Sequence, residues 1–394
     1  MSDGEPQVSV LTAGRDRPYA LGLAAALAAA GVKFDFIGSN EVDAPELHSN
    51  PQIRFLNLRG DQTVEAGALQ KILRVLRYYW RLIAYAAVAR PKIFHILWNN
   101  KFEWFDRTLL MVYYRLLGKK ICFTVHNVNV RARDGGDSWF NRVTLKFQYR
   151  CCDHFFLHTE RMKIELIRDF GVPEHKTSVI PFGINSTVPD TVLTQAQART
   201  KLNLKADEKV MLFFGNIAPY KGVEFLVGAF IELAKSGGDF RLIIAGRPKG
   251  NEEYWAGLLA QINARPVREK VLLKIEYVPD AETEVYFKAA DVLVLPYTHI
   301  FQSGVLFLSY NFGLPVIATD VGALKDDVET GKTGWVVPPR DTAALVQALK
   351  NYFASELFAN LGARRLDIRA FANERYSWSK VAAITTRVYA GLLK

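Results

Sequence analysis

Residues 302–322, with the sequence QSGVLFLSYNFGLPVIATDVG, decide the fold class of this chain together with the apolar run 292–295 before them. The runs 292–295 and 315–319 consist mostly of apolar residues, which is typical of buried strands in a parallel sheet. Residues 305–312 between them are apolar on all sides, so we expect a buried helix. The stretch therefore predicts a strand–helix–strand unit of an α/β protein.

The start of that helix is a candidate anion site. Ser303 is placed to cap the helix with its hydroxyl, and Gly304 lets a ligand approach the backbone. Free N–H groups and the positive end of the helix dipole favour an anion there, with a diphosphate as the first candidate. An ordinary packing unit without a ligand is the alternative interpretation of this stretch alone.

Length and composition indicate a soluble globular protein of two domains. The chain has 394 residues, of which 49% are hydrophobic and 23% charged, and this is long for a single core. It contains no apolar run of about 18 residues, so we expect no membrane-spanning helix. The acidic first residues lack the features of a secretory signal, and three cysteines without metal spacing fit a reducing cytoplasm.

Strands and helices alternate along the chain in two successive blocks, with a polar linker that begins near residue 186. Such alternation predicts two Rossmann-like parallel-sheet domains that face each other across a cleft. We place the first domain at residues 1–187 and the second at residues 188–372. We expect residues 373–394 to form a helix that packs back on the first domain.

The positive charge is concentrated in residues 69–120. The chain carries a net charge of +10, and this stretch holds eleven basic side chains against only Glu103 and Asp106. A localised basic face predicts an anionic partner: phospholipid, nucleic acid or a phosphorylated substrate. The basic residues are Lys71, Arg74, Arg77, Arg81, Arg90, Lys92, Lys101, Arg107, Arg115, Lys119 and Lys120.

Part of this basic stretch has the spacing of a helix on a membrane surface. Arg74, Arg77 and Arg81 recur every three or four residues, so they share one helix face. We expect the aromatic side chains next to them to insert at the lipid interface. These aromatic residues are Tyr78, Tyr79 and Trp80.

The second block places polar and small residues after several of its strands, where ligands of parallel sheets bind. Gly215 permits a tight turn, and Lys221 with Gly222 directly precedes a helix. A lysine is unfavourable at a helix N-terminus unless an anion lies between, so Lys221 is a candidate diphosphate ligand. Arg247 could reach the same phosphates, and Val278 could border a base. A solvated surface lysine is the alternative for Lys221.

In the first block, His126 ends a strand, and carboxylates lie in the two nearby loops. A satisfied core histidine is the alternative interpretation of His126. The loop carboxylates are Asp16, Asp134 and Asp137. The chain has no D-x-D sequence, so we expect no metal-bound diphosphate of the usual carboxylate type. It also lacks the phosphate-loop, dinucleotide and nucleophile-elbow motifs.

Five stretches together carry a resemblance to a known family. They are VIPFGIN (179–185), FFGNIAPYKG (213–222), AADVLVLPY (289–297), GLPVIATDVG (313–322) and ETGKTGWVVPP (329–339). In combination they resemble glycosyltransferase family 4 (group 1), the nucleotide-sugar glycosyltransferases of the GT-B fold. The resemblance implies that the second domain binds a nucleotide-diphosphate sugar, such as a UDP-sugar or GDP-sugar, and that the first domain binds the acceptor. It implies neither a cofactor nor a metal.

The resemblance also assigns roles to individual residues. His126 matches the histidine near the transferred sugar, and Lys221 matches the phosphate lysine. The turn formed by Gln302, Ser303, Gly304 and Val305 matches the start of the phosphate-binding helix.

Three positions depart from the family pattern. Asn216 lies where an arginine is usual, and Ile300 and Leu308 lie where the family has two glutamates. The missing glutamates leave the contact to the ribose and the stereochemical course open. Overall similarity favours a retaining transfer, whereas the local substitution favours an inverting one with Asp16, Asp134 or Asp137 as the general base. We favour retention.

Three functions therefore remain under comparison. The first is a glycosyltransferase that acts on a glycan or lipid-linked, membrane-anchored acceptor, as in polysaccharide assembly. It would work in the cytoplasm, at the inner face of an anionic membrane. The second is a catalytically weak protein that binds sugar nucleotides, which the missing glutamates would allow. The third, binding of nucleic acid, is disfavoured because the aromatic and leucine residues of the basic stretch follow helical spacing.

Overall fold

The computed structural model describes residues 5–14, 16–63, 67–133, 136–184, 188–248, 252–263 and 267–394. The chain divides into two compact units. Unit 1 consists of Met1–Gly183 and Tyr376–Lys394, and unit 2 consists of Ile184–Arg375. The boundary expected after residue 187, the last residue of the VIPFGIN stretch and the start of the linker fall in residues 185–187, outside the described part.

The described part of unit 1 is built on a seven-stranded sheet with the order β3-β2-β1-β4-β5-β6-β7, and every pairing in it is parallel. The strands are β1 (Val8–Leu11), β2 (Phe34–Gly38), β3 (Ile53–Asn57), β4 (Ile93–Ile96), β5 (Lys120–Val125), β6 (His154–Leu157) and β7 (Thr177–Val179). β1, β2, β4 and β6 are buried along their whole length, which explains their continuous apolar sequence.

Helices connect these strands, as parallel pairing requires. They are α1 (Arg17–Ala29), α2 (Pro45–Ser49), α3 (Ala68–Val88), α4 (Glu103–Arg107), α5 (Leu109–Leu116), α6 (Val130–Arg133), α7 (Trp139–Cys151) and α8 (Glu160–Phe170). α4 and α5 are separate helices, because Thr108 between them leaves the helical conformation with φ −121° and ψ −88°.

The described part of unit 2 repeats this plan with a six-stranded parallel sheet of order β10-β9-β8-β11-β12-β13. Its strands are β8 (Lys209–Phe214), β9 (Phe240–Ala245), β10 (Val271–Lys274), β11 (Val292–Leu295), β12 (Val316–Thr319) and β13 (Gly334–Val337). Its helices are α9 (Gln195–Lys201), α10 (Val223–Lys235), α11 (Glu252–Asn263), α12 (Asp280–Ala289), α13 (Gly304–Asn311), α14 (Leu324–Asp327), α15 (Thr342–Phe353), α16 (Glu356–Ala359) and α17 (Leu361–Arg375).

The last helix, α18 (Trp378–Leu392), belongs to unit 1 and packs against α1. The indole of Trp378 lies against Gly22 and Gly183, where any Cβ would collide with it. The Tyr389 hydroxyl is 2.5 Å from Nδ1 of the buried His95, whose Nε2 is 2.7 Å from the Thr124 hydroxyl. The helix is therefore fixed to the sheet of unit 1 by both apolar packing and a buried polar chain.

The aromatic side chains that α3 exposes are not all those that the sequence predicted. Tyr78 and Tyr79 are buried, and their hydroxyls donate to Asn100 and Asp106 at 2.6 and 3.0 Å. The expectation that both tyrosines insert into lipid was therefore wrong, because they anchor the helix to unit 1. Trp80, in contrast, is 73% exposed. No helix within the described residues is long and apolar enough to cross a membrane.

Candidate functional site

The turn that carries Lys221 lies at the end of β8 in unit 2. Lys221 closes a single helical turn, Pro219–Lys221, and Gly222 follows in the left-handed conformation with φ 61°. A side chain at Gly222 would collide with the carbonyl of Pro296, which directly follows β11. The Thr298 amide donates to the Tyr220 carbonyl at 2.9 Å. The loop after β8 therefore lies directly against the residues after β11. Contact between the Gly222 backbone and the Pro296 carbonyl, together with this hydrogen bond, holds it there.

Lys221 contacts the residues after β11 through its side chain. The lysine is buried, and its Nζ lies 3.7 Å from the centre of the Tyr297 ring. The Tyr297 hydroxyl lies 3.2 Å from Oγ of Ser303, at the start of α13. Burial raises the pKa of Tyr297, so its phenol stays neutral and keeps its proton for hydrogen bonding. Lys221, Tyr297 and Ser303 thus form one continuous chain of contacts.

The start of α13 corrects one detail of the sequence analysis. Ser303 is the N-cap residue, but its hydroxyl makes no capping hydrogen bond and is directed to Tyr297 instead. Gly304 is exposed at the first position of the helix. Oε1 of Gln302 is buried and has no hydrogen-bond partner within the described residues. The helix start therefore lacks side-chain capping, and a buried amide oxygen lies directly beside it.

Gly215 and Gly246 bring the ends of β8 and β9 close to the same helix. A side chain at Gly246 would collide with the Gly215 carbonyl. A Cβ at Gly215 would lie 3.5 Å from Cγ2 of Val305, on the first turn of α13. The Ile217 amide donates to the Arg247 carbonyl at 2.9 Å. The sheet edge at this point therefore presents backbone atoms, because the glycines have no side chains to cover them.

Arg247, Asn216 and Val278 line the outer part of this edge. Arg247 and Asn216 are both exposed, and the Arg247 guanidinium lies 5.9 Å from the centre of the Tyr277 ring. Tyr277 is 63% exposed, whereas Val278 beside it is buried. An exposed aromatic ring next to an apolar residue and a cation is a surface on which a planar base could stack.

The two positions at which the family has glutamates lie on either side of Ser303. Leu308 is buried inside unit 2, and Ile300 is half-buried. A side chain at Gly322 would collide with the Ile300 carbonyl, and the Ala323 amide donates to the Phe301 carbonyl at 2.9 Å. Loop 300–303 is therefore fixed by the residues after β12, and α13 presents no carboxylate.

In unit 1, His126 directly follows β5 and stacks on Trp98, with ring centres 4.4 Å apart and planes at 1°. Its Nδ1 lies 3.1 Å from Nε2 of His158. Its Nε2 is buried without a hydrogen-bond partner within the described residues. Burial and the neighbouring His158 hold the pKa of His126 well below its usual range, so the imidazole is neutral.

Asp16 and His126 are linked through Tyr19. Asp16 is exposed and caps α1, since its Oδ1 accepts from the Tyr19 amide at 3.3 Å. It adopts a left-handed backbone with φ 44°, which is uncommon for a residue with a side chain. The Tyr19 ring packs edge-on against His126, 4.7 Å between centres. Unit 1 therefore brings these two candidate residues to neighbouring positions.

Of the two other candidate bases of unit 1, Asp134 and Asp137, only Asp137 lies among the described residues. Asp137 accepts from Nδ2 of Asn141 at 2.7 Å and from Nε of Arg142 at 2.6 Å. These hydrogen bonds lower the pKa of Asp137 to about 2, so it is a poor proton acceptor at neutral pH. Asp134 lies outside the described residues.

Sequence reasoning missed two aromatic residues of these sites. Tyr297 contacts Lys221, and Trp98 covers His126. Both follow apolar strands at the carboxyl edge of a parallel sheet, and this position was the available signal. The described residues contain no group of three or more His, Cys, Asp or Glu side chains that could hold a metal ion.

In comparisons with known proteins, each half of the chain matches a family of glycosyltransferases. Residues 18–188 match the family described as Glycosyltransferase Family 4, and residues 208–355 match the family described as Glycosyl transferases group 1. A D-inositol 3-phosphate glycosyltransferase of Streptomyces bingchenggensis is 29% identical over 247 residues, 61% of this chain and 53% of that protein. The chain thus spans about half the length of such relatives.

Two solved structures are similar over nearly the whole chain. Sucrose-phosphate synthase from Thermosynechococcus elongatus has a TM-score of 0.76 at 21% identity and covers 99% of both chains. The Anabaena protein Alr3699/HepE in complex with UDP has a TM-score of 0.73 at 16% identity, covering 98% of this chain and 100% of that one. The two solved structures and the two parallel sheets show the GT-B fold. The two family models show that the chain belongs to the glycosyltransferases, with a family 4 domain followed by a group 1 domain.

Proposed function

We propose that this protein transfers a sugar from a nucleotide-diphosphate sugar, bound by unit 2, to an acceptor bound by unit 1. The observation that carries the proposal is the contact chain from Lys221 through Tyr297 to Ser303. It places a buried cation beside the uncapped start of α13, at the carboxyl edge of a parallel sheet. A diphosphate is the ligand that such a cation and free backbone N–H groups suit.

The leaving diphosphate would be stabilised by protein groups alone. Lys221 and the first N–H groups of α13 would neutralise the charge that develops when the glycosidic bond breaks, and Arg247 would add a forked donor from the rim. In this proposal no metal ion takes part. Turnover should therefore be the same with and without EDTA.

The nucleoside would lie against Val278, with Tyr277 as the stacking surface. Gln302 would accept a hydrogen bond from a hydroxyl of the donor next to the diphosphate, since its buried Oε1 has no partner among the described residues. Leu308 occupies the position of the usual ribose carboxylate, so the ribose would be held less tightly than in the family pattern. UDP-sugars and GDP-sugars are the proposed donors. The solved complex of the Anabaena protein with UDP supports UDP as the first nucleotide to test.

We propose retention for the stereochemical course. The base required for inversion would have to be Asp16 or Asp134, because the pKa of Asp137 is held at about 2 by Asn141 and Arg142. His126 is neutral, and its buried Nε2 would form a hydrogen bond with the transferred sugar. In a retaining transfer, Asp16 would position the acceptor without removing a proton.

The acceptor would be anchored at an anionic membrane. α3 exposes an apolar stripe at helical spacing, on the side of the helix away from its buried tyrosines. Arg77 and Arg81 are exposed on the same helix. Apolar side chains flanked by cations suit insertion between anionic headgroups. The exposed apolar residues are Leu69, Ile72, Leu73, Leu76 and Trp80.

Two further helices of unit 1 extend this apolar surface. α5 packs against α7, and the Tyr113 hydroxyl of α5 donates to the Ile83 carbonyl of α3 at 3.0 Å. Exposed apolar patches of this kind mark interaction surfaces. The exposed apolar residues of α5 and α7 are Leu109, Val112, Leu116, Trp139, Phe140, Val143 and Phe147.

A two-stage experiment tests the proposed function. A thermal-shift screen of UDP, GDP, ADP and their sugars should find a stabilising nucleotide. Incubation of the corresponding sugar nucleotide with lipid extract should then release nucleoside diphosphate. A thermal shift without release would favour the catalytically weak binding protein that the missing carboxylates allow. Absence of both effects would contradict the proposal.

A further inference from the structure

A pair of histidines occupies matching positions at the ends of two neighbouring strands of unit 1. Val125 of β5 is paired with Leu157 of β6 in the parallel register. His126 and His158 are the next residues, one after each strand. Nδ1 of His126 and Nε2 of His158 lie 3.1 Å apart, which is a hydrogen-bond distance. One of these two nitrogens therefore carries a proton that the other accepts.

Aromatic rings hold this pair of imidazoles in place. His126 stacks on Trp98. The Tyr19 ring lies edge-on to both histidines, with its centre 4.7 Å from His126 and 5.5 Å from His158. The Phe182 ring packs edge-on against His158, 4.9 Å between centres. The packing fixes the planes of both imidazoles, so the position of each proton depends on the polar groups around the pair.

The polar group on the far side of His158 is the backbone of Ile180. Leu157 is also paired with Val179 of β7, so Ile180 takes the position next to His158 on the side away from His126. Burial lowers the pKa of His158 to about 4, and the Ile180 backbone acts in the opposite direction, so it favours an N–H on this imidazole. His158 is therefore placed to keep its own proton on Nδ1 and to accept through Nε2.

We propose that His158 is a positioning residue for the transfer reaction, which accepts the Nδ1 proton of His126 and leaves Nε2 of His126 unprotonated. The inference rests on the proposed function, in which this Nε2 contacts the transferred sugar. An unprotonated nitrogen accepts a hydrogen bond from a sugar hydroxyl, whereas an N–H cannot. Its lone pair also suits the positive charge that develops on the sugar ring as the glycosidic bond breaks.

The proton of His126 has no other fixed place. Within the described residues, His158 is the hydrogen-bond partner that the structure gives to Nδ1 of His126, and Nε2 is buried without one. A neutral imidazole without a partner prefers its proton on Nε2. Loss of His158 therefore converts Nε2 of His126 from an acceptor into a donor, because the hydrogen bond of one ring nitrogen sets the proton of the other.

NMR of the full-length protein with 15N-labelled histidine reads the tautomer directly and needs neither donor nor acceptor. The chain has seven histidines, and the His126 signals are those that disappear in His126→Gln. At pH 7 the parent protein should show Nδ1 of His126 protonated and Nε2 unprotonated. His158→Leu should move the proton to Nε2. His158→Gln, whose amide oxygen replaces the accepting nitrogen, should keep it on Nδ1.

Turnover supplies a second measurement. His158→Leu should release nucleoside diphosphate from the sugar nucleotide about tenfold more slowly than the parent protein. Its affinity for UDP should stay the same, because UDP lacks the transferred sugar. His158→Gln should recover most of the rate. The matched control is His154→Leu on the same strand, since Nε2 of His154 lies 2.9 Å from the Ser178 hydroxyl, outside the pair. It should change neither the tautomer nor the rate.

Two NMR results would overturn the inference: a proton on Nε2 of His126 in the parent protein, or a tautomer that His158→Leu leaves unchanged. Equal loss of rate in His158→Leu and His154→Leu would assign the effect to packing and would overturn it as well. If His158→Leu does not fold, His158→Gln decides, because a proton on Nε2 in that variant contradicts the proposal. A parent protein that releases no nucleoside diphosphate would contradict the proposed function, while the NMR result would still decide the role of His158.

Discussion

The ammonium group of Lys221 lies 3.7 Å from the centre of the Tyr297 ring, inside unit 2 and next to the start of α13. A buried cation against an aromatic face is stabilised even before a ligand arrives. The lysine is therefore preorganised for a diphosphate, which is the condition under which a charged contact contributes most to binding.

The first prediction concerns this lysine. Lys221→Ala should weaken donor binding or turnover by about 1 to 3 kcal/mol, because it removes a charged hydrogen bond to the diphosphate. Lys221→Met, which keeps the apolar stem on Tyr297, should show the same loss with an unchanged fold. Lys235→Ala, an exposed lysine on α10, is the control. Calorimetric titration with UDP measures the effect, and parent-like affinity in both Lys221 variants would contradict the assignment.

The second prediction concerns the apolar stripe of α3. Leu73→Ser and Trp80→Ser should each reduce co-sedimentation with anionic vesicles, since each buried apolar side chain contributes about 1.5 to 3 kcal/mol. Binding should also fall with added salt, because each cation near an anionic leaflet contributes about 1 kcal/mol. Leu366→Ser, at an equally exposed apolar position on α17 of unit 2, should change nothing. Equal binding to neutral and anionic vesicles would show that the cations do not contribute to membrane binding.

The third prediction concerns the stereochemical course. If transfer proceeds with retention, Asp16→Asn should keep much of the rate, because no base on the acceptor side is obligatory. NMR of the anomeric proton in the product should show the configuration of the donor. The opposite anomer, together with an inactive Asp16→Asn variant, would establish inversion and overturn the proposal.

The fourth prediction concerns acid stability of unit 1. Burial lowers the pKa of His95 to about 3 and that of His158 to about 4, so both stay neutral in the folded unit at pH 5. The unfolded chain binds protons below pH 6.5, and the stability of unit 1 should therefore fall as the pH drops from 7 to 5. The loss should be about 2 kcal/mol for each of these histidines.

Hydrogen exchange of unit 1 peptides at pH 7 and pH 5 measures this loss. His95→Gln should lower stability at pH 7 but reduce the difference between the two pH values. His299→Gln, at an exposed histidine of unit 2, is the control and should leave the difference measured in unit 1 unchanged. A pH dependence that His95→Gln does not alter would assign the acid sensitivity to other groups.

The central strands of both sheets could be predicted from the sequence because burial on both faces makes them continuous apolar runs. Two of the four edge strands, β3 and β13, could not. β3 is half-buried and contains Arg54, whose guanidinium is exposed while it pairs with the buried Asp35 at 2.5 Å. β13 begins with Gly334, packed against the Val316 backbone. Such strands carry a mixed pattern that local sequence does not separate from loop.

Prediction of the site was limited in a different way. The positions of Gly215, Gly222 and Lys221 followed from where strands end, because the carboxyl edge of a parallel sheet collects them. The contacts of Tyr78 and Tyr79 did not follow, because helical spacing gives the angle between side chains but not which side the sheet lies on. The orientation of the Ser303 hydroxyl depends on Tyr297 and is a tertiary effect of the same kind.

The membership of α18 in unit 1 has a consequence for how the protein is made. Translation proceeds from the N-terminus, so the sheet of unit 1 is synthesised first, yet Trp378 and Tyr389 join its core last. Unit 2 is contiguous in sequence and can complete its own core while the ribosome is still at work. Until residues 376–392 emerge, the small surfaces at Gly22 and Gly183 and the buried His95 have no cover. Of the two units, the one translated first is thus the last to finish folding.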